Sequence, residues 1–332
     1  MAIRLDNSRS RPRGVIQPRA DMRTEPMRYR IPYRRHLTGA ITAAVLIANV
    51  PTAAAQFMLG QSRMASRIDE AVKALGRLPR LTGISLQAKR RLVEFIMGNT
   101  LFVITHEMGH GVINEMNMPV LGREEDAADS FAVVTTLQMT SGLSDRVLVE
   151  AAMGWILAGD RVRRQRQPLA FYDEHGLDLQ RAYNIVCFMV GSDREKYKQL
   201  AEDTKLPEER QESCVWDWKN TAWSWDEMLK KHLRSADQPK IAVTVTYEED
   251  EQHAAQIQVL RHTRLLEAFA EHAADRYAWP KPFTIEARSC GEPNARWKKR
   301  VLTLCYELAH EFIELFVAYS GALPRKYRSA AE

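Results

Sequence analysis

Apolar residues recur every three to four positions over most of the first 237 residues. This spacing predicts helices at 62–75, 85–97, 144–164, 177–190 and 207–234. A Gly/Pro loop at 76–83 separates the first two. Leu101-Phe102-Val103-Ile104 begins another helix, with Thr100 a suitable N-cap. An acidic run, Glu124-Glu125-Asp126, opens the next, which continues through the apolar stretch 130–137. Between these two, Pro119 and Gly122 fit a short turn that folds the second helix back on the first. Beyond Gln238-Pro239 the texture changes. Segments 241–247, 283–287 and 300–305 have strand composition, flanked by helices at 252–276 and 306–320. The pattern predicts an α+β fold, mostly helical, with a small C-terminal sheet. No internal repeat, glycine-rich phosphate loop or heptad run is visible.

Within the helix that follows Thr100 stands His106-Glu107-Met108-Gly109-His110. Residues four apart share a helix face, so two imidazoles can meet one metal ion while Glu107 reaches a water beside it. This is the H-E-x-x-H signature of zinc peptidases, with the glutamate as general base. A catalytic zinc needs a third protein ligand. Glu125 is the preferred candidate, because Glu125 to Asp129 spells E-x-x-A-D on the adjoining helix. Asp129, one turn on, is placed to accept the free N–H of a ligating histidine. Glu271 to Asp275 repeats the spelling and leaves Glu271 as a rival. His310-Glu311-Phe312-Ile313-Glu314 lacks a second histidine and reads as ordinary amphipathic helix.

These motifs, with Leu121-Gly122-Arg123 ahead of the acidic run, resemble a bacterial metallopeptidase family of unknown function. Asp173-Glu174-His175-Gly176-Leu177-Asp178, Cys290-Gly291-Glu292-Pro293-Asn294-Ala295 and Cys305-Tyr306-Glu307-Leu308 are similar to the same family. The resemblance covers the chain from about residue 95 onward. It implies a zincin-like fold, in which the H-E-x-x-H helix packs on a second ligand-bearing helix. The place of His175 in a family-like segment makes it the first candidate for oxyanion donor, with Tyr172 or Tyr306 as substitutes. Arg181 could pair a substrate carboxylate, although a structural ion pair is the better expectation.

Composition adds a leader. The net charge of +5 is misleading, because residues 1–55 carry +7 and leave the remainder at −2. The body offers no charge argument for nucleic-acid binding. Residues 1–55 read as an export signal. An arginine-rich region ending at Arg34-Arg35 precedes an apolar stretch at 37–50, then Ala53-Ala54-Ala55 supplies a cleavage site. The alternative is an uncleaved anchor, and translation could start at Met22 or Met27. Residues 56–332 then form a metallopeptidase-type domain, helical to about 237 with an α+β part at 238–320. No stable membrane insertion is expected after cleavage, and the mature protein is placed in the periplasm or secreted.

Four cysteines in an exported chain suggest disulfides, with Cys187–Cys214 and Cys290–Cys305 the preferred pairing of three possible. The second pair is expected to bridge two strands joined by a turn near Asn294. Trp216, Trp218, Trp223 and Trp225 crowd one helix. They are expected to be packing anchors, with a carbohydrate or peptide groove as the alternative. The sequence thus points to an exported Zn2+-dependent hydrolase of peptide or protein substrates. A zinc-stabilised envelope binding protein and a zinc amidase acting on cell-wall material are the alternatives.

Overall fold

Ser85 opens the longest helix among the described residues. Its hydroxyl accepts the Ala88 N–H at 3.1 Å, and α2 then runs unbroken over Leu86–Glu115. The expected break at Thr100 does not occur, because neighbours bury α2 on every side and its apolar residues form no single stripe. Asn99, which could interrupt it, instead donates to the carbonyls of Phe95 and Glu150. The structure, a computed structural model, describes residues 53–139 and 142–319. Most of the leader, including Met22, Met27, Arg34-Arg35 and the apolar stretch 37–50, lies outside the described residues. Ala53 to Ala55 form the first turn of α1 (Ala53–Leu75), which begins well before the expected residue 62.

The remaining helices are α3 (Glu124–Gln138), α4 (Gly142–Arg164), α5 (Asp178–Ser192), α6 (Lys198–Asp203), α7 (Glu208–Leu229), α8 (Ala254–Thr263), α9 (Leu265–Arg276) and α10 (Tyr306–Tyr319). The single helix expected over 252–276 is two, broken where Arg264 takes the left-handed conformation (φ 53°). The short α6 has too few turns to show a period and was not expected. No described helix is long and apolar enough to cross a membrane.

Among the described residues, four strands form one mixed sheet in the order β1-β2-β4-β3: β1 (Val243–Tyr247), β2 (Phe283–Arg288), β3 (Ala295–Lys298) and β4 (Val301–Cys305). β1, β2 and β4 run parallel, with Ile285 opposite Leu302. β3 returns antiparallel on β4 through Lys299 and Arg300, both at positive φ as a tight hairpin turn requires. Four residues without alternation left β3 invisible in the sequence. Both preferred disulfides form. Cys187–Cys214 ties α5 to α7. Cys290–Cys305 does not cross the hairpin as expected. It joins the loop after β2 to the end of β4, and the hairpin turn is at Lys299, not near Asn294.

Two apolar clusters divide the interior. One gathers α1, the first half of α2, α4, α5 and α10. The other gathers the second half of α2, α3, α9 and the sheet. The H-E-x-x-H segment belongs to the second half of α2, so its face is positioned by α3 on one side and β3 on another.

Candidate metal centre

The turn between α2 and α3 reverses the chain through Asn117 (φ 49°) and Gly122 (φ 95°). Gly122 needs its freedom there, since that φ is unfavourable for a residue with a Cβ. α3 then lies so close to α2 that a Cβ on Gly109 would come within 3.1 Å of the Ala128 Cα. This approach brings the Glu125 carboxylate to both histidines. Nε2 of His106 and His110 are 3.2 Å apart, and Glu125 Oε2 is 3.1 and 3.4 Å from them.

Each histidine is oriented from behind. His106 Nδ1–H donates to Asp129 Oδ1 at 2.8 Å, and His110 Nδ1–H donates to Glu124 Oε1 at 2.8 Å. Both Nε2 lone pairs are thereby turned toward Glu125. The part played by Glu124 is not visible in the sequence, where it reads as one acid among three at a helix N-terminus. Asp129 is held in turn by Arg181, whose Nε and Nη2 donate to its two oxygens at 2.7 and 2.6 Å. The guanidinium lies over the Trp155 ring, 3.8 Å from its centroid. Arg181 is therefore a structural partner, the better of its two expectations.

The donor set fits a tetrahedral cation. Bonds of about 2.0–2.1 Å separate neighbouring ligand atoms by about 3.4 Å, close to the spacings above. Glu125 Oε2 is buried and has no hydrogen-bond partner among the described residues, although three ring nitrogens surround it. A carboxylate oxygen and two imidazole nitrogens converging at these distances are groups that a divalent ion, displacing the ring protons, would bring together. Burial would raise the pKa of Glu125, but the histidines outweigh it and hold the carboxyl far below its ordinary range. Burial likewise lowers His110, yet Glu125 and Glu124 lift it to about 9. For Asp129, burial is outweighed by Arg181 and His106, which bring it to about 2.

Glu107 is not one of the three clustered ligand residues. It is 8% exposed, and burial raises its carboxyl pKa despite the neighbouring histidines. It faces the backbone N–H of Trp297 on β3. The Trp297 indole lies against Gly111, where a Cβ would approach it to 2.8 Å. Short as it is, β3 forms a wall of the site.

His175, on the loop between α4 and α5, reaches the same centre. Its Nε2 is 2.9 Å from Glu125 Oε2, and its Nδ1 lies 3.2 Å from Asp173 Oδ1. Glu125 raises its pKa. Neither substitute donor is placed there. Tyr172 is 92% exposed, and the Tyr306 hydroxyl donates to the Glu248 carbonyl at 2.7 Å. The rival ligand Glu271 lies instead on α9, lining a groove along β1 with Lys240 and Val243. It is not part of the His106–His110–Glu125 group. Cys290, Cys305 and Glu307 also cluster, but the two sulfurs are spent in a disulfide. Glu307 instead accepts from Ser289 Oγ and the Cys290 and Gly291 N–H groups.

A family model described as "Putative metallopeptidase" matches residues 78–229 and 246–331. No curated protein and no solved structure matches the chain.

Proposed function

The chain belongs to this metallopeptidase family, and on that premise we propose that it is an exported, zinc-dependent peptidase. The observation that carries the reading is the convergence of the buried Glu125 Oε2 with His106 Nε2 and His110 Nε2, with both imidazoles backed by carboxylates. These three side chains would hold the ion. Bound there, zinc supplies Lewis acidity, lowering the pKa of a water and polarising a carbonyl. Glu107 takes the proton from the attacking water onto its carboxylate and returns it to the leaving amide nitrogen. Its burial suits this role, because a raised pKa lets the carboxyl hold a proton between the two transfers. His175, oriented by Asp173, donates from Nε2 to the oxyanion that develops on the carbonyl. Arg181 and Asp129 keep the His106 ring in register.

Among the described residues β3 pairs on one side only, with β4, and its Trp297 N–H faces Glu107. An extended peptide laid along that edge would gain backbone hydrogen bonds beside the general base. Two disulfides and the arginine-rich leader support an oxidising, extracytoplasmic location. A purely structural zinc gives no reason for a buried carboxylate next to the ligands but outside their set, which favours catalysis over a binding role.

The test measures metal content and hydrolysis of casein and a broad peptide library by the mature protein and by Glu107→Gln. The expected result is one zinc per chain in both, with cleavage by the wild type alone. Equal cleavage, or none by either, overturns the peptidase reading. Release of cell-wall peptides without proteolysis would move it to the amidase.

A further inference from the structure

A second concave surface lies between α3, α5, α7 and the 119–123 turn, a groove of about 960 Å³. None of His106, His110, Glu125 and His175 lines it; only the supporting pair Asp129 and Arg181 does. It is large enough for an extended ligand.

Two of the four tryptophans on α7 are anchors, as expected. Trp225 is buried and donates Nε1–H to Ser130 Oγ, and Trp218 packs against Phe188. The other two are not. Trp216 and Trp223 line the groove and remain 68% and 66% exposed. Seven residues apart, they stand on one helix face about 10.5 Å apart along the axis. Asn220 lies between them on the same face, and Asn184 of α5 is also in the lining. Neither asparagine amide has a hydrogen-bond partner among the described residues. Each therefore offers two donors and an acceptor to a ligand.

Three arginines and four carboxylates line the groove, and each is ion-paired, Glu227 with a lysine just outside the lining. Arg123 pairs with Asp126 at 2.9 Å, Arg181 with Asp129, Arg210 with Asp217 at 2.7 Å, and Glu227 with Lys230 at 3.7 Å. With each of these charges paired, none stands free to attract a phosphate backbone, an anionic headgroup or a charged peptide. What fits is an uncharged ligand with flat apolar faces and a rim of hydroxyl or amide groups. A pyranose has that form, since the C–H face stacks on an indole and equatorial polar groups point sideways to the asparagines. In a β-1,4-linked strand alternate sugars present the same face, and a disaccharide repeat is close to two turns of helix. We propose that this groove binds an uncharged β-1,4-linked glycan strand, with Trp216 and Trp223 as platforms for sugars n and n+2 and Asn184 and Asn220 as hydrogen-bonding partners.

The proposal is tested by calorimetric titration of the full mature chain, carrying Glu107→Gln, with chitohexaose and with cellohexaose. At least one hexasaccharide binds. Trp216→Ala and Trp223→Ala each weaken binding by at least tenfold and together abolish it, while Trp→Phe at either position retains most of it. The melting temperature stays unchanged, because both indoles are exposed. Preference between the two sugars reports whether the N-acetyl group is read. Absence of binding at millimolar sugar, or binding indifferent to both tryptophans, overturns the proposal. So does tryptophan-dependent binding of peptides or phosphatidylglycerol vesicles without binding of either sugar. None of these readouts needs hydrolysis, so this proposal and the peptidase reading fail separately.

Discussion

Gly109 rests against Ala128, with only 3.1 Å between the position of a Gly109 Cβ and the Ala128 Cα. The two motifs are interlocked at this contact: the last variable position of H-E-x-x-H meets the alanine of E-x-x-A-D. The contact sets the separation of α2 and α3, and with it the distance from Glu125 to the imidazoles.

Gly109→Val should therefore wedge the helices apart. Overpacking of this kind costs about 1–3 kcal/mol. Zinc affinity should fall at least tenfold, measured by competition with a chromogenic chelator, alongside a lower melting temperature. Unchanged affinity would show that the contact does not set the ligand geometry.

Asp129→Asn removes the carboxylate that accepts the His106 Nδ1–H hydrogen bond and leaves Arg181 without its bidentate partner. Loss of such an outer partner typically weakens metal binding by about 10–100-fold. Arg181→Met should weaken it less, and the double variant should cost less than the sum of the two, because both act through one ring. Strict additivity in the zinc dissociation constants would refute the relay.

His175→Ala should lower kcat by about 10²–10³-fold, the usual cost of losing one oxyanion donor. KM and zinc stoichiometry should change little. Loss of zinc together with activity would make His175 a metal-holding residue instead.

Glu307 provides a pH test away from the site. Burial raises its pKa, but Ser289 Oγ and the backbone N–H groups of Gly291 and Cys290 outweigh it and bring the carboxyl to about 2. A depressed carboxyl contributes stability that is complete above its ordinary value near 4.5 and is lost as pH falls through about 2. Glu307→Gln should be less stable than wild type at neutral pH, and the gap in urea midpoint should close between those two values. A gap that stays constant over this interval would sever the carboxylate from the stability of the 288–294 loop.

Much of the site was legible because it is local. Four-residue spacing puts His106 and His110 on one face of any helix, and the same geometry relates Glu125 to Asp129. A short turn at Gly122 makes neighbours of the two helices. The mostly helical α+β class followed from the change of apolar period near residue 238. Element ends were less legible, since burial on every side erased the stripe of α2 and joined two expected helices into one.

What the sequence determined by itself was the set of groups able to meet a metal ion, because covalent geometry and helical pitch fix which side chains share a face. Tertiary structure alone decided which of the repeated spellings lies at the histidines, placing Glu125 there and Glu271 beside β1. It also assigned Glu124 to His110, set Arg181 between Asp129 and Trp155, brought the unexpected β3 over Glu107, and kept Trp216 and Trp223 in the open. Each of these depends on the packing of elements whose relative placement no local periodicity encodes.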